Sequence, residues 1–347
     1  MKSLVLAAPT AIVFAFLVAC QGSTHPPPPA ATPGGPPGYG PAPIPNGPYA
    51  QPAPPAGYGP APAPPNGVPA APTNRPLLGP LVGSAAWQAE ARAVLKEVVA
   101  HLPAQYAARV SNVPLVFDPN PNEVNAFASC DDSGAPFIAG TEGLLEAIDS
   151  IAETGATDEL FGTATYGAYA AAVAPRLVTE GNMGGAFLPP GIVPAVYWND
   201  PRRISRAHEI FDEIVAFTFG HELAHHYMGH TGCANGQAGG NGPLIEQLGQ
   251  QLGRLLTSPG GGFNQPNEVA ADTQGCISTL DAGRARSAVA YRWTEQGGLR
   301  LLDFFARLDQ ASGANPWLSF LRTHPNPGLR IPIVQAVAAS WRLQHPG

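Results

Sequence analysis

His221, Glu222 and His225 stand in the order His-Glu-x-x-His. On a helix, residues four apart lie one turn apart on one face, so both imidazoles can meet a single metal ion. Glu222 is placed to take a proton from metal-activated water and act as general base. A zinc ion so held polarises a carbonyl and lowers the pKa of its water, which is the chemistry of peptide hydrolysis. Upstream, Ile210, Phe211, Ile214, Val215 and Phe217 give the helix an apolar face. Imidazoles and a carboxylate buried on such a helix need a compensating partner.

A catalytic zinc takes three protein ligands and keeps a fourth position open. The long metzincin signature would need a histidine at 231 and a glycine at 228, where Thr231 and Met228 stand. His230 misses that register by one residue, about 100° around a helix. The other route is a glutamate on a second helix, and Asn267-Glu268-Val269-Ala270-Ala271-Asp272 supplies it. Glu268 completes a His-His-Glu set. Asp272, one turn on, is placed to accept the outer N–H of a ligand histidine and fix its tautomer. His226 points about 100° away from the ligand face and reads as packing. His208 begins an incomplete version of the pattern, with Asp212 in place of the second histidine, and carries no expectation of a site.

These residues need helices to position them, and the text supplies such helices only after residue 80. The chain has 41 prolines and 40 glycines, and residues 21–80 hold 22 of the prolines and one charged residue, Arg75. Gly38-Tyr39-Gly40-Pro41-Ala42-Pro43 recurs as Gly57-Tyr58-Gly59-Pro60-Ala61-Pro62. Such a stretch has little to bury and reads as an extended tether. Residues 81–347 carry all 25 acidic side chains against 16 basic ones, net −9. That balance excludes a basic footprint for nucleic acid. From Ser84 the pattern predicts a helix through Val98, strands at Val113–Phe117, Val124–Ser129 and Pro136–Ala139, and helices at Thr141–Ile151 and Asp158–Val173. The metal helix spans about 203–228, with Gly232 as its stop. Further helices are expected at Leu244–Leu256, Asn267–Leu280, Ala285–Trp293, Leu299–Leu308 and Ile331–Trp341. The fold class is α+β, mostly helical with one small sheet. The glycine-rich runs Gly232–Gly242 and Ser258–Gly262, between the two metal helices, read as solvated loops, with a mobile lid over the cleft as the alternative.

Met1–Ala19 has a short basic start and an apolar run too short to span a membrane comfortably, so 1–19 reads as a signal peptide. Its end, Leu17-Val18-Ala19-Cys20, resembles the lipobox of bacterial lipoproteins. The resemblance implies cleavage before Cys20 and lipidation of its sulfur. The expected organisation is therefore signal peptide 1–19, lipidated Cys20 and tether 20–80, and a zinc metallopeptidase domain 81–347. Gln21 favours an outer-membrane location facing the periplasm, with the membrane reached by the lipid anchor only.

Glu268-x-x-Ala271-Asp272 downstream of His-Glu-x-x-His resembles the gluzincin metallopeptidases that include HtpX, the Oma-type mitochondrial protease and the CAAX prenyl endopeptidase. Asn125-Ala126-Phe127-Ala128 is similar to that family's edge strand, which pairs with extended substrate. His324-Pro325 followed by Arg330 is similar to its C-terminal element. The resemblance implies a zincin-type domain with one zinc per chain and an unfolded or extended polypeptide as substrate. It implies substrate binding by Asn125, Ala126 and Phe127, and His324 as either oxyanion stabiliser or plug. Arg330 is assigned either to Asp272 or to a substrate carboxylate. Many relatives carry transmembrane helices around the metal motif, and this chain has none there. The leading expectation is a lipid-anchored zinc endopeptidase of the bacterial envelope. The alternatives are an envelope chaperone or assembly factor with latent proteolysis, and a non-catalytic scaffold that keeps the metal for folding. Of Cys130, Cys233 and Cys276, the metal draws the segments carrying the last two together, so Cys233–Cys276 is the expected disulfide.

Overall fold

A computed structural model describes residues 77–121, 123–179, 187–233, 265–286, 292–312, 324 and 327–346, all within the unit Pro62–Gly347. The expected signal peptide, Cys20, the tether up to residue 76, the helix 244–256, Pro325 and the glycine-rich runs 234–242 and 258–262 lie outside the described residues. The fold is α+β, mostly helical with one small sheet, as expected.

The centre is α6, Pro201–Tyr227. Asp200 caps it by accepting from the Arg202 amide, and Pro201 starts it without a wasted N–H. Every residue from Glu209 to His225 is buried. A helix enclosed on all sides must be the core of its domain. The expected stop at Gly232 comes earlier: the helix caps at Met228, and Gly229 takes the left-handed conformation at φ 80.

Around α6 lie α1 (Ser84–Ala100), with α2 (Ala104–Val110) after it, then α3 (Glu142–Phe161), against which α4 (Thr165–Thr179) packs. α5 (Ala195–Trp198) is short. It and α2 carry too few apolar positions to declare a period and were not expected. The two helices expected at 141–151 and 158–173 are divided differently. α3 runs unbroken through the buried Ala152 and Ala156, and ends where Gly162 turns left-handed at φ 65. α7 (Gln265–Ala285), α8 (Gln296–Ser312) and α9 (Pro327–Gln344) complete the described helices. Of the helix expected at 285–293, residues 287–291 lie outside the described residues; α7 ends at Ala285, and Arg292 and Trp293 are not helical. The Thr294 amide and hydroxyl instead donate to Glu213 Oε1 at 2.7 and 2.6 Å. No described helix is long and apolar enough to cross a membrane.

The strands β1 (Leu115–Asp118), β2 (Ala126–Cys130) and β3 (Pro136–Thr141) form a sheet in the order β1-β3-β2. β1 runs parallel to β3 and β2 antiparallel, so β2 is an edge strand as expected. The Thr141 amide donates to the Asn125 carbonyl, and Thr141 Oγ1 caps α3 by accepting from Leu144. By alternation in an antiparallel pair, the main-chain groups of Ala126 and Ala128 then face away from β3.

The disulfide joins Cys130 to Cys233, not Cys233 to Cys276. Cys276 follows Glu268 by eight helical residues, a rotation of about 80°. That turns it from the metal side toward α9, where its Sγ lies 3.8 Å from the Val334 carbonyl. Burial pushes this free thiol up to about 12. After Gly229 the chain returns to the end of β2, where Cys130 waits.

Two outcomes are expected. Unfolded without reductant, the domain should show one titratable thiol, and peptide mapping should find Cys130 joined to Cys233. Replacing both by serine should cost about 2–4 kcal/mol in denaturant unfolding. Separately, burial pushes the Asp149 carboxyl up to about 7. Between the unfolded value of about 4 and that pKa, the native state holds the extra proton, so stability falls as pH rises through this window. The melting temperature of Asp149→Asn relative to wild type should therefore climb between about pH 5 and about pH 8.

Candidate metal centre

α6 and α7 meet where neither has a side chain. A Cβ on Gly275 would lie 3.0 Å from the His221 amide nitrogen, and one on Gly220 would lie 2.9 Å from Ser278 Oγ. This close approach brings Glu268 and Asp272, one turn apart on α7, onto the two histidines of α6.

His221 Nε2 and His225 Nε2 are 3.1 Å apart. Glu268 Oε2 lies 3.5 Å from the first and Oε1 3.4 Å from the second. Donors that share one tetrahedral ion at about 2.0–2.2 Å are separated by about 3.3–3.6 Å, so these separations, taken to both oxygens of Glu268, are near those of a shared metal ion. The outer nitrogens determine what faces inward. His221 Nδ1 lies 3.0 Å from Asp272 Oδ1, at ion-pair distance but not aligned as a hydrogen bond. His225 Nδ1 meets His230 Nδ1 at 3.0 Å. A proton on each Nδ1 leaves both Nε2 lone pairs directed at one centre.

Further charges enclose this triangle. Arg330 clamps Asp272 in a bidentate pair at 2.7 and 2.6 Å, and its Nη1 is 3.2 Å from Glu268 Oε2. His324 Nδ1 lies 2.9 Å from Glu268 Oε2, while its Nε2 lies 3.0 Å from the Ala126 carbonyl oxygen and 3.4 Å from Glu222 Oε1. Glu222 Oε1 is 4.0 Å from His221 Nε2, and Glu222 Oε2 and Glu268 Oε1 are buried with no hydrogen-bond partner.

Glu222, Glu268, Asp272 and Arg330 are all buried. Three carboxylates against one guanidinium leave two negative charges to be met by imidazolium or by a cation. Burial, with the Glu268 charge beside it, raises Glu222 against the pull of His324 and His221. Burial also works against the charged form of Glu268, but His324 and His221 hold it well below the usual carboxylate range. Arg330 does the same for Asp272 against its burial. Burial and the neighbouring His221 push His225 down, whereas Asp272 and Glu268 overcome burial and raise His221 to about 9. The site draws in positive charge. The His221, His225, Glu268 and His324 cluster is thus able to bind a metal ion.

Compared with models of protein families, with curated proteins and with solved structures, the chain matches none.

Seven residues expected from sequence meet at this site: His221, Glu222, His225, Glu268, Asp272, His324 and Arg330. Arg330 pairs with Asp272, the first of its two expected partners. The expected substrate strand divides. Ala126 reaches the site through its carbonyl. Asn125 lies 3.5 Å from Glu123 Oε1 through its Nδ2, and the Phe127 ring packs edge-on against Phe137. One residue was misjudged from the sequence and two went unnoticed. His230 was tested only as a ligand in the wrong register, and its contact with His225 depends on the turn at Gly229. Gly220 and Gly275 carried a signal, since a glycine inside a helix implies close packing there.

Chelation should lower the melting temperature, and Glu268→Ala should lower metal affinity by orders of magnitude, read by metal analysis. His230→Ala should weaken binding by about 10- to 100-fold, with His230→Asn recovering part of the loss because its side-chain oxygen can still accept from His225.

Proposed function

We propose that the chain is a zinc-dependent endopeptidase of the gluzincin type, with His221, His225 and Glu268 as ligands and Glu222 as general base. The donor set of two imidazoles and one carboxylate suits zinc. When bound, the ion would supply Lewis-acid polarisation of a peptide carbonyl and acidification of water.

The observation that carries this reading is Glu222 Oε2, buried beside the converging donors and without a partner. A site built only for folding has no use for a buried carboxylate oxygen without a donor, which costs stability. Glu222 can hold a proton at Oε2 and return it to a leaving amine, and burial raises its pKa toward the range where such exchange is efficient. Asp272 and Arg330 orient His221, and His230 orients His225.

Substrate would lie along β2. The Ala126 carbonyl faces away from β3, available for an extended peptide to pair with, but His324 Nε2 occupies it at 3.0 Å. Of its two expected roles, this contact favours the plug: a substrate strand that pairs at Ala126 displaces His324. The lipid anchor at Cys20 and the envelope location belong to the same proposal and rest on Leu17-Val18-Ala19-Cys20.

Glu222→Gln should keep its metal and lower kcat/KM on an unfolded polypeptide by about 10²- to 10⁴-fold. New peptide termini in a digest of unfolded protein by the wild type, absent with Glu222→Gln, would support the reading. A metal-loaded wild type that prevents aggregation but produces no new termini would return the function to a chaperone.

A further inference from the structure

A second group of donors lies on α6 well away from the first. Asp212 and His221 are nine residues apart, about 14 Å along the helix axis, so the two groups do not share an ion. His208 and Asp212 are one turn apart on α6, and Glu90 faces them from α1. His208 Nδ1 lies 2.8 Å from the Gly79 carbonyl oxygen. A carbonyl only accepts, so Nδ1 carries the proton and the Nε2 of a neutral ring presents its lone pair. That Nε2 lies 3.5 Å from Glu90 Oε1 and 3.9 Å from Asp212 Oδ1.

Asp212 is only 2% exposed, and its Oδ1, directed at His208, has no hydrogen-bond partner. A buried carboxylate oxygen without a donor is costly unless something else fills the space. The nearest guanidinium, Arg286, is 3.9 Å from the other oxygen and is engaged with Glu97 at 3.2 Å. With the His208 ring neutral, the carboxylates of Glu90, Glu97 and Asp212 outnumber the local guanidinium by two, the charge of one divalent cation; without an ion, Glu90 and Asp212 overcome burial and raise that ring to about 9, so an ion would take the place of its proton. Separations of 3.5 and 3.9 Å are long for hydrogen bonds, but donors around one ion at about 2.0–2.2 Å sit about 3–4 Å apart. The carbonyl contact on the outer nitrogen is also how proteins orient a ligating histidine.

We propose that Glu90, His208 and Asp212 form a second divalent-metal site, structural in role, fastening α1 and the segment at Gly79 to α6. One imidazole and two carboxylates suit zinc or a similar first-row ion. The segment from residue 77 leads out of the proline-rich stretch, and its Leu78 amide also donates to Ser205 Oγ on α6. An ion there would lock the place where the tether joins the domain. The inference is independent of the peptidase reading.

Zinc titration of the chelator-treated full chain, followed by metal analysis, tests this. Wild type should bind two equivalents, Glu90→Gln and Asp212→Asn one each, and His225→Ala the other one. In His225→Ala, zinc should still raise the melting temperature, and adding Glu90→Gln should abolish that rise. Glu90 lies on the half-buried rim, so its variant remains informative if Asp212→Asn does not fold. A folded wild type that saturates at one equivalent, still held by folded Glu90→Gln, would overturn the proposal. So would two equivalents retained in folded Glu90→Gln, which would place the second ion elsewhere.

Discussion

An ionised carboxylate buried without a counter-charge costs several kcal/mol, and breaking a buried pair leaves that cost exposed. Glu222, Glu268 and Asp272 are all buried around two imidazoles at the core of the domain. The rest of the architecture can be read as the response. Arg330 comes in from α9 to clamp Asp272, and His324 covers Glu268. Gly220 and Gly275 remove the side chains that would hold α6 and α7 apart. Even so, two oxygens remain unpartnered, and His221 is driven toward the charged form. A cation at the centre would balance what the protein's own groups leave over.

Helical periodicity made the long helices legible, and donor spacing made the site legible, for the same reason. A histidine pair four apart, or a glutamate and aspartate four apart, is a statement about one helix face and does not require knowing the partner. What stayed hidden depended on contacts between elements. The partner of Cys233 was misjudged because a helical offset of eight residues rotates Cys276 toward Val334. Just past the 285–293 segment, the Thr294 amide donates to Glu213, 81 residues away, a contact that no local pattern announces. His230 looked like a failed ligand because a helix was assumed beyond Met228.

The edge strand shows how the two kinds of information combine. Asn125-Ala126-Phe127 was readable as a strand, and its edge position follows from the β1-β3-β2 order. Its relation to the site comes from the chain's other end: His324 crosses 198 positions to reach the Ala126 carbonyl. The Cys130–Cys233 bond ties the same strand to the segment following the metal helix. Strand, helix terminus and C-terminal histidine are thereby held in one register.

The unbroken burial of α6 has a consequence for how an ion would come and go. Regions with the most buried contacts open only with global unfolding, whereas peripheral pieces open locally at much lower free energy. His221 and His225 sit within the stretch from Glu209 to His225 that is buried throughout, so they are the least able to let go. Exchange of the ion would have to begin on the side made by Glu268 and His324, which belong to other elements. The lifetime of a bound ion would then be governed by release from Glu268 and His324, and its equilibrium affinity by the histidines that α6 holds in place.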